Sequence, residues 1–376
     1  MHPIARLPDE WKESLAARSE RPFRAQQIFK WIHARGVLDP HEMSDLAEPL
    51  RTWLAEEGVL AVAESVGVHR SSDATRKILL KMGDGATIET VIIPANKVNE
   101  ADADLAAVGD EDEEATATTT TTERVTQCIS TQVGCAMGCI FCASGVAGLK
   151  RHLGAHEIVA QVIFGRRVLE PREELRNIVL MGMGEPLHNY DATARALRLL
   201  THPMGMNMSP RRITVSTSGL VPEIARLGAD FAGQIGLAIS LHAADDETRT
   251  RLMPVNRKYP LGELMASLRA YPLPKRRRIF IEYTLVAGKN DDLREATKLA
   301  RLLRDVPVKI NLIPMNPIEA STLGAPGMER VYAFQQVLID EGYTCFVRKR
   351  RGDDVAAACG QLALLGAKPR VRVNRS

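Results

Sequence analysis

The chain reads as an α/β protein built on a parallel sheet, open or curled into a partial barrel, with a small helical unit in front of it. Three observations predict this. From residue 125 onward, apolar runs rich in Val, Ile and Leu alternate with amphipathic segments at helical spacing. A repeated strand–helix order requires crossovers between parallel strands, and these are right-handed. Short polar motifs recur directly after the apolar runs, where ligands gather in such sheets.

The elements follow in order. Residues 1–60 read as a helical accessory unit; within it, Pro22 to His33 places Ile28, Phe29, Trp31 and Ile32 near helical spacing after a proline start. Residues 61–94 change period, and Lys77–Met82 and Ile88–Pro94 predict a β-hairpin around the turn Gly83-Asp84-Gly85. Residues 95–124 are acidic and then threonine-rich, without apolar periodicity, which predicts a disordered insertion. Residues 125–361 carry strand-like runs at 124–130, 177–181, 212–217, 236–241, 278–286, 309–314 and 343–347. Amphipathic segments at 155–169, 190–201, 221–227, 261–271, 291–305 and 327–341 stand between them. A basic tail, 362–376, closes the chain.

Composition sets further limits. A chain of 376 residues with 45% hydrophobic and 25% charged residues suits a globular protein with one large domain and appendages. Its six cysteines are clustered, unlike a secreted disulfide framework, and no run approaches the length of a membrane span. The expectation is a cytoplasmic protein without membrane contact. Net charge is only +3, but eight acidic side chains fall within residues 100–114, so the rest of the chain is distinctly basic. Clusters at Arg211-Arg212, Lys275–Arg278 and Arg348–Arg351, with Arg370, Arg372 and Arg375, suit a polyanionic partner such as nucleic acid.

Cys135, Cys139 and Cys142 have the spacing Cys-x3-Cys-x2-Cys. Three thiolates on one loop suit three irons of a cubane cluster, and the missing fourth ligand leaves one iron open to a small molecule. A structural zinc site would close with four protein ligands in paired spacing, and no fourth ligand stands at such a position.

Four strand-like runs end in polar motifs: Gly184-Glu185-Pro186, Ser216–Gly219, Ser240-Leu241-His242 and Met315-Asn316-Pro317. Together they form a polar rim suited to a ribose and an amino acid, with Glu185 offering a carboxylate to a cationic amine. Cys359 lies among small residues beside Arg348–Arg351, where positive charge would lower a thiol pKa; locally it also reads as a buried small cysteine. Cys128 precedes the cluster loop on an adjacent strand, and Cys345 sits in an apolar strand as a core residue.

These motifs, joined to Asn311–Pro317 and Arg351–Gln361, resemble the radical S-adenosylmethionine RNA methyltransferases of the RlmN/Cfr family over almost the whole chain. The resemblance is closest to the branch that methylates adenosine C2 in 23S rRNA and in certain tRNAs. It implies a radical S-adenosylmethionine partial (βα)6 barrel with the helical unit and a β extension carrying Glu89. It implies a 4Fe-4S cluster on Cys135, Cys139 and Cys142, with S-adenosylmethionine held by Gly184, Glu185, Ser216, Ser240, Leu241, His242 and Asn316. Cys359 would carry a methyl group as S-methylcysteine, Glu89 would accept a proton, and Cys128 would resolve the intermediate through a transient disulfide with Cys359. The implied partners are rRNA, tRNA and an external, flavodoxin-type electron donor; the chain itself is expected to be a monomer.

The chemistry explains such an arrangement. Adenine C2 is electron-poor and has no lone pair with which to attack a sulfonium, whereas a carbon radical adds without that requirement. Loss of the C2 proton then needs a base, and release from the protein needs a second thiol. From its own surroundings, Glu89 reads only as an exposed strand glutamate. Two other functions stay open from sequence: methylation of adenine C8 by the same machinery, and a zinc-bearing RNA-binding protein without catalysis. In this family the strands carrying Glu89 and Cys128 are usually joined by a short turn, whereas here about thirty residues intervene.

Overall fold

The computed structural model describes residues 1–59, 62–95, 122–318 and 321–362. The acidic, threonine-rich stretch between 96 and 121 and the tail with Arg370, Arg372 and Arg375 lie outside the described residues.

Ten strands form one mixed sheet. In chain order these are β1 (Ala63–Arg70), β2 (Arg76–Met82), β3 (Thr87–Pro94) and β4 (Glu123–Cys128), with β5 (Gln132–Val133) and β6 (Arg151–His152) as a separate small pair. They continue with β7 (Glu173–Leu180), β8 (Ile213–Thr217), β9 (Gly236–Ser240), β10 (Ile279–Leu285), β11 (Val308–Pro314) and β12 (Cys345–Val347). The spatial order is β1-β2-β3-β4-β7-β8-β9-β10-β11-β12, antiparallel up to β4 and parallel from β4 to β12. The parallel part curls, because Cys128 of β4, Val179 of β7, Ile313 of β11 and Phe346 of β12 all line one cavity. It does not close, and the architecture is the open partial barrel with a helical unit that the sequence predicts.

Burial explains the strand sequences. All seven residues of β10 are buried, as a central parallel strand covered on both faces requires. β1, at the sheet edge, is exposed along most of its length, with only Ala63 and Gly67 half-buried, and the lack of apolar alternation is why sequence periodicity passes over it. The hairpin of β2 and β3 stands where predicted, with Leu79 opposite Glu89. The short helix Asp246–Leu252 and the two-residue strands β5 and β6 are additions that periodicity could not resolve at such lengths.

The N-terminal unit contains helices Pro8–Ala16, Arg24–Phe29 and Glu48–Glu56, with a π-turn over Lys30–Ala34. Its apolar faces join the barrel in one continuous core: Ile4, Trp11, Phe29 and Ile32 are fully buried within the same cluster as Ile158, Ile163 and Leu197. Arg195 reinforces the docking with two bonds to the Glu10 carboxylate, at 2.8 and 2.9 Å. No helix among the described residues is long and apolar enough to cross a membrane.

Topology sorts the basic clusters. Arg211-Arg212 precedes β8 and Lys275–Arg278 leads into β10, so both lie at the amino-terminal ends of parallel strands. Arg212 is also buried, at 4% exposure, which removes it from any nucleic-acid surface. Arg348–Arg351 directly follows β12 and stands at the carboxyl-terminal end, with the polar motifs.

Candidate active site

Two adjoining cavities open at the carboxyl ends of the parallel strands. The smaller, about 160 Å³, is lined by Cys135, Cys139, Cys142, Gly184, Glu185, Ser216, Ser240, His242, Asn316 and Cys359, among others. The larger, about 640 Å³, holds Cys128 and Cys359 together with the basic stretch Arg348–Arg351. Cys359 is thus shared by both.

Leu241 and Glu89 line neither cavity. Leu241 is fully buried in the core, and its backbone is occupied: its N–H donates to the Glu282 carbonyl at 3.0 Å and its carbonyl accepts from Arg249 Nε at 3.1 Å. Glu89 sits on β3, where the period of two puts its side chain on the same face as Val91, the register partner of Cys128. At 3% exposure it is not the exposed strand carboxylate its local sequence suggests, and Lys77 Nζ lies 3.0 Å from its Oε1.

The cysteine loop is built by close backbone packing. A Cβ on Gly145 would stand 2.9 Å from both the N and the O of Cys139, so only glycine lets the helical turn Ala143–Ala147 fold back onto the loop. Burial pushes all three thiols up, Cys135 to about 12, and each is raised further by another cysteine of the site. Thiols that resist ionisation and repel one another as thiolates gain most from a bound polycation. Among the described residues, no three His, Cys, Asp or Glu side chains are drawn together closely enough to hold a single metal ion. The thiols instead ring a cavity, which fits a cluster whose irons each take one thiolate better than it fits zinc.

Across that cavity Glu185 is buried at 4% exposure and its carboxyl is pushed up by burial, against the pull of its hydrogen bonds. Oε2 accepts from the Ser218 N–H at 2.7 Å and Oε1 from the Leu187 N–H at 3.1 Å. Gly184 has φ +103°, and a Cβ there would fall 2.5 Å from the Cβ of Gln132, whose Oε1 accepts the Glu185 N–H at 2.8 Å. His242 also has positive φ, +59°, a strained backbone for a non-glycine residue at a ligand site. Its Nδ1 accepts the Thr284 N–H at 2.8 Å, and burial, then Arg249, lowers its pKa to about 3, so the ring is neutral.

The Cys359 loop is pinned to these elements. Asn316 Nδ2 donates to the Cys359 carbonyl at 2.9 Å, the Ala143 N–H to the Gly360 carbonyl at 2.8 Å, and Ser144 Oγ to the Leu362 carbonyl at 2.6 Å. The cluster loop and the strand end after β11 therefore hold the same segment. Cys359 is reachable from solvent through the larger cavity, yet its surroundings raise its thiol pKa, with Arg348 pulling the other way. Arg348 lowers the thiol as nearby positive charge should, but the packing around the sulfur raises it more. Cys128 is buried and raised to about 12 by burial and then by Cys359. Cys345 is a core residue at 5% exposure, as its strand implies.

Sequence reasoning missed Glu282, which lines the smaller cavity at 4% exposure. Its Oε1 accepts from Arg348 Nη2 and from Asn311 Nδ2, both at 3.0 Å. A lone charged side chain in the strand-like run Ile279–Leu285 is the signal that could have found it.

Comparison with known proteins gives a consistent answer. Residues 129–300 match the family model of the radical SAM superfamily, and residues 9–60 match the ribosomal RNA large subunit methyltransferase N-terminal domain. The chain is 70% identical to the dual-specificity RNA methyltransferase RlmN of Sorangium cellulosum, covering 99% of this chain and 98% of that protein. It is 44% identical to the protein of the same name from Geobacter sulfurreducens, over 94% of this chain and 89% of the relative. A crystal structure of a radical SAM methyltransferase from Sphaerobacter thermophilus superposes with a TM-score of 0.86 at 43% identity, covering 96% of this chain and 99% of the other. The chain belongs to the RlmN family of radical S-adenosylmethionine methyltransferases.

Proposed function

We propose that this protein methylates C2 of adenosine in 23S rRNA and in tRNA, through a methyl group carried on its own Cys359; that its relatives are dual-specificity RNA methyltransferases supports the reading. The observation that carries the reading is the placement of Cys359 at the junction of two cavities, one ringed by Cys135, Cys139 and Cys142 and the other containing Cys128. A methyl on that sulfur would face the radical source on one side and the RNA base on the other.

Cys135, Cys139 and Cys142 would hold a 4Fe-4S cluster. Bound there, it supplies the electron that cleaves S-adenosylmethionine to a 5′-deoxyadenosyl radical. Glu185, buried and ready for a cation, would receive the methionyl amine, while Gly184, Ser216, Ser240, the His242 strand end and Asn316 would surround the rest of the molecule. Leu241 would contribute packing only.

The protein's own residues then divide the work. Cys359 accepts a methyl by displacement from a first S-adenosylmethionine, gives up a hydrogen atom from it to the 5′-deoxyadenosyl radical, and bonds through the resulting methylene to adenine C2. The one electron left over on that adduct would return to the oxidised cluster. Glu89 accepts the C2 proton. Cys128 attacks the Cys359 sulfur as a thiolate, so a disulfide forms while the sulfur–carbon electron pair leaves with the carbon, which is then protonated to a methyl. An external reductant, flavodoxin-type in the family, reopens the disulfide and supplies the electrons. The helical unit up to residue 60 would grip RNA beside the catalytic part, 125–361, and the extension 61–94 would bring Glu89 to it, in a protein acting in the cytoplasm as a monomer.

Anaerobic reconstitution with iron and sulfide, followed by reductant, S-adenosylmethionine and rRNA or tRNA fragments, tests the reading. Mass mapping should find 2-methyladenosine and 5′-deoxyadenosine. Methylation that survives Cys359→Ala would sink the mechanism, and a product methylated at C8 would move the protein to the other branch.

A further inference from the structure

We propose that Tyr332, supported by Met328, is a stacking platform for a base of the substrate RNA next to the adenosine that is methylated. This rests on the function proposed above and names how the RNA is held at the same site.

The helix Met328–Asp340 has two different faces. Val331, Phe334 and Leu338 are fully buried and tie it to the barrel core. Met328, Tyr332 and Gln335 follow one another at helical spacing and line the larger cavity. Met328 is 44% exposed and Tyr332 56%, so the cavity-side face presents apolar and aromatic surface that the fold does not cover.

The cavity's charge identifies the occupant. Arg348, Lys349, Arg350 and Arg351 line it, with Asp353 as the only carboxylate among the described residues of its walls. Glu282, Asp353 and Asp73 pair with three of these cations, at 3.0, 3.1 and 4.0 Å, which holds the basic segment in place. A cationic wall facing an exposed aromatic ring suits a nucleic acid strand, whose phosphates meet the one and whose bases meet the other.

Depth separates the target base from its neighbour. The reacting base has to reach Cys359 and Cys128, the latter only 8% exposed. Tyr332 is far more exposed and belongs to the rim. A base drawn from its stack exposes one face of the adjoining base to water. An aromatic ring at the rim replaces the lost stacking partner without reading the base's identity, which fits an enzyme acting on more than one RNA.

The test uses the full-length, cluster-reconstituted enzyme and an RNA stem-loop with 2-aminopurine beside the target adenosine. Tyr332→Ala should weaken RNA binding by about 5- to 150-fold, the range of one lost base–aromatic stack. It should also abolish the quenching of 2-aminopurine fluorescence on binding. Tyr332→Phe and Tyr332→Trp should restore both, whereas Tyr332→Leu should not. Iron content and melting temperature equal to the parent's identify variants that fold. Unchanged affinity and quenching in Tyr332→Ala, or equal behaviour of Leu and Phe, would overturn the platform. If instead the parent methylates no RNA while Tyr332→Ala still loses binding and quenching, the platform stands and the proposed reaction fails.

Discussion

Lys77 Nζ stands 3.0 Å from the Glu89 carboxylate and 3.4 Å from the carbonyl of Ala356, so one ammonium joins β3 to the loop that carries Cys359. Both partners of the ion pair are largely buried, with side-chain exposures of 12% and 5%. The ammonium fixes where that carboxylate points and ties it to the segment beside Cys359. Lys77→Met should therefore lower the rate of RNA methylation by about 10²-fold, the lower end of general-base effects, while Lys77→Arg retains most of it. Quantifying methylated adenosine per turnover decides this; equal rates for Met and Arg would remove Lys77 from the reaction.

Cys128 and Cys359 line the same cavity, and Cys359 raises the Cys128 thiol beyond the effect of burial. Cys128→Ser should stop the reaction after the methylene bridge forms, leaving RNA covalently attached to Cys359. Denaturing gels and peptide mass spectrometry should show that adduct in Cys128→Ser and none in Cys359→Ala. A Cys128→Ser enzyme that releases methylated RNA at the parent's rate would contradict its role as resolving thiol.

Arg348 pulls the Cys359 thiol down more strongly than Glu282 pushes it up. Removing Arg348 alone would strand Glu282 in the interior, at a cost of about 3–5 kcal/mol. The double change Arg348→Met with Glu282→Gln avoids this. Its Cys359 should react with iodoacetamide only at higher pH than in the parent, and an unshifted midpoint would refute the arginine's influence.

Gly145→Ala places a methyl against the Cys139 backbone, 2.9 Å from its N and O. Since the neighbour is backbone, the loop itself must shift. Iron bound per chain after reconstitution should fall severalfold, with the fold's circular dichroism intact.

Stability should also fall in acid. His33 is wholly buried beside Phe29, ring centroids 4.4 Å apart, and burial lowers its pKa from 6.5 to about 3. The unfolded chain then binds a proton at His33 that the folded one refuses. Its contribution is full above pH 6.5 and is lost as pH falls toward 3. His2, lowered to about 4 by burial and by His156, adds to the same window. Denaturant melts of His33→Phe should show a flatter dependence across that range; a slope equal to the parent's would exclude His33 as a source of acid lability.

The sequence by itself determined the parallel sheet, since strand–helix alternation is a local pattern, and it determined the cysteine loop, whose three thiols fall within eight residues. It also put Glu185, Ser216, His242 and Asn316 at strand ends, because a motif after an apolar run can only lie there. Pairing and burial depend on contacts between residues far apart in the chain, and these only the tertiary structure decided. It set Glu89 against Lys77, Glu282 against Arg348 and Asn316 against the Cys359 carbonyl. It raised the Cys359 thiol where local cations suggested the reverse, because desolvation depends on everything packed around a group and not on its sequence neighbours. It separated Arg348–Arg351 from basic clusters that look alike in sequence, since which end of a strand a loop joins is settled by the direction of the sheet.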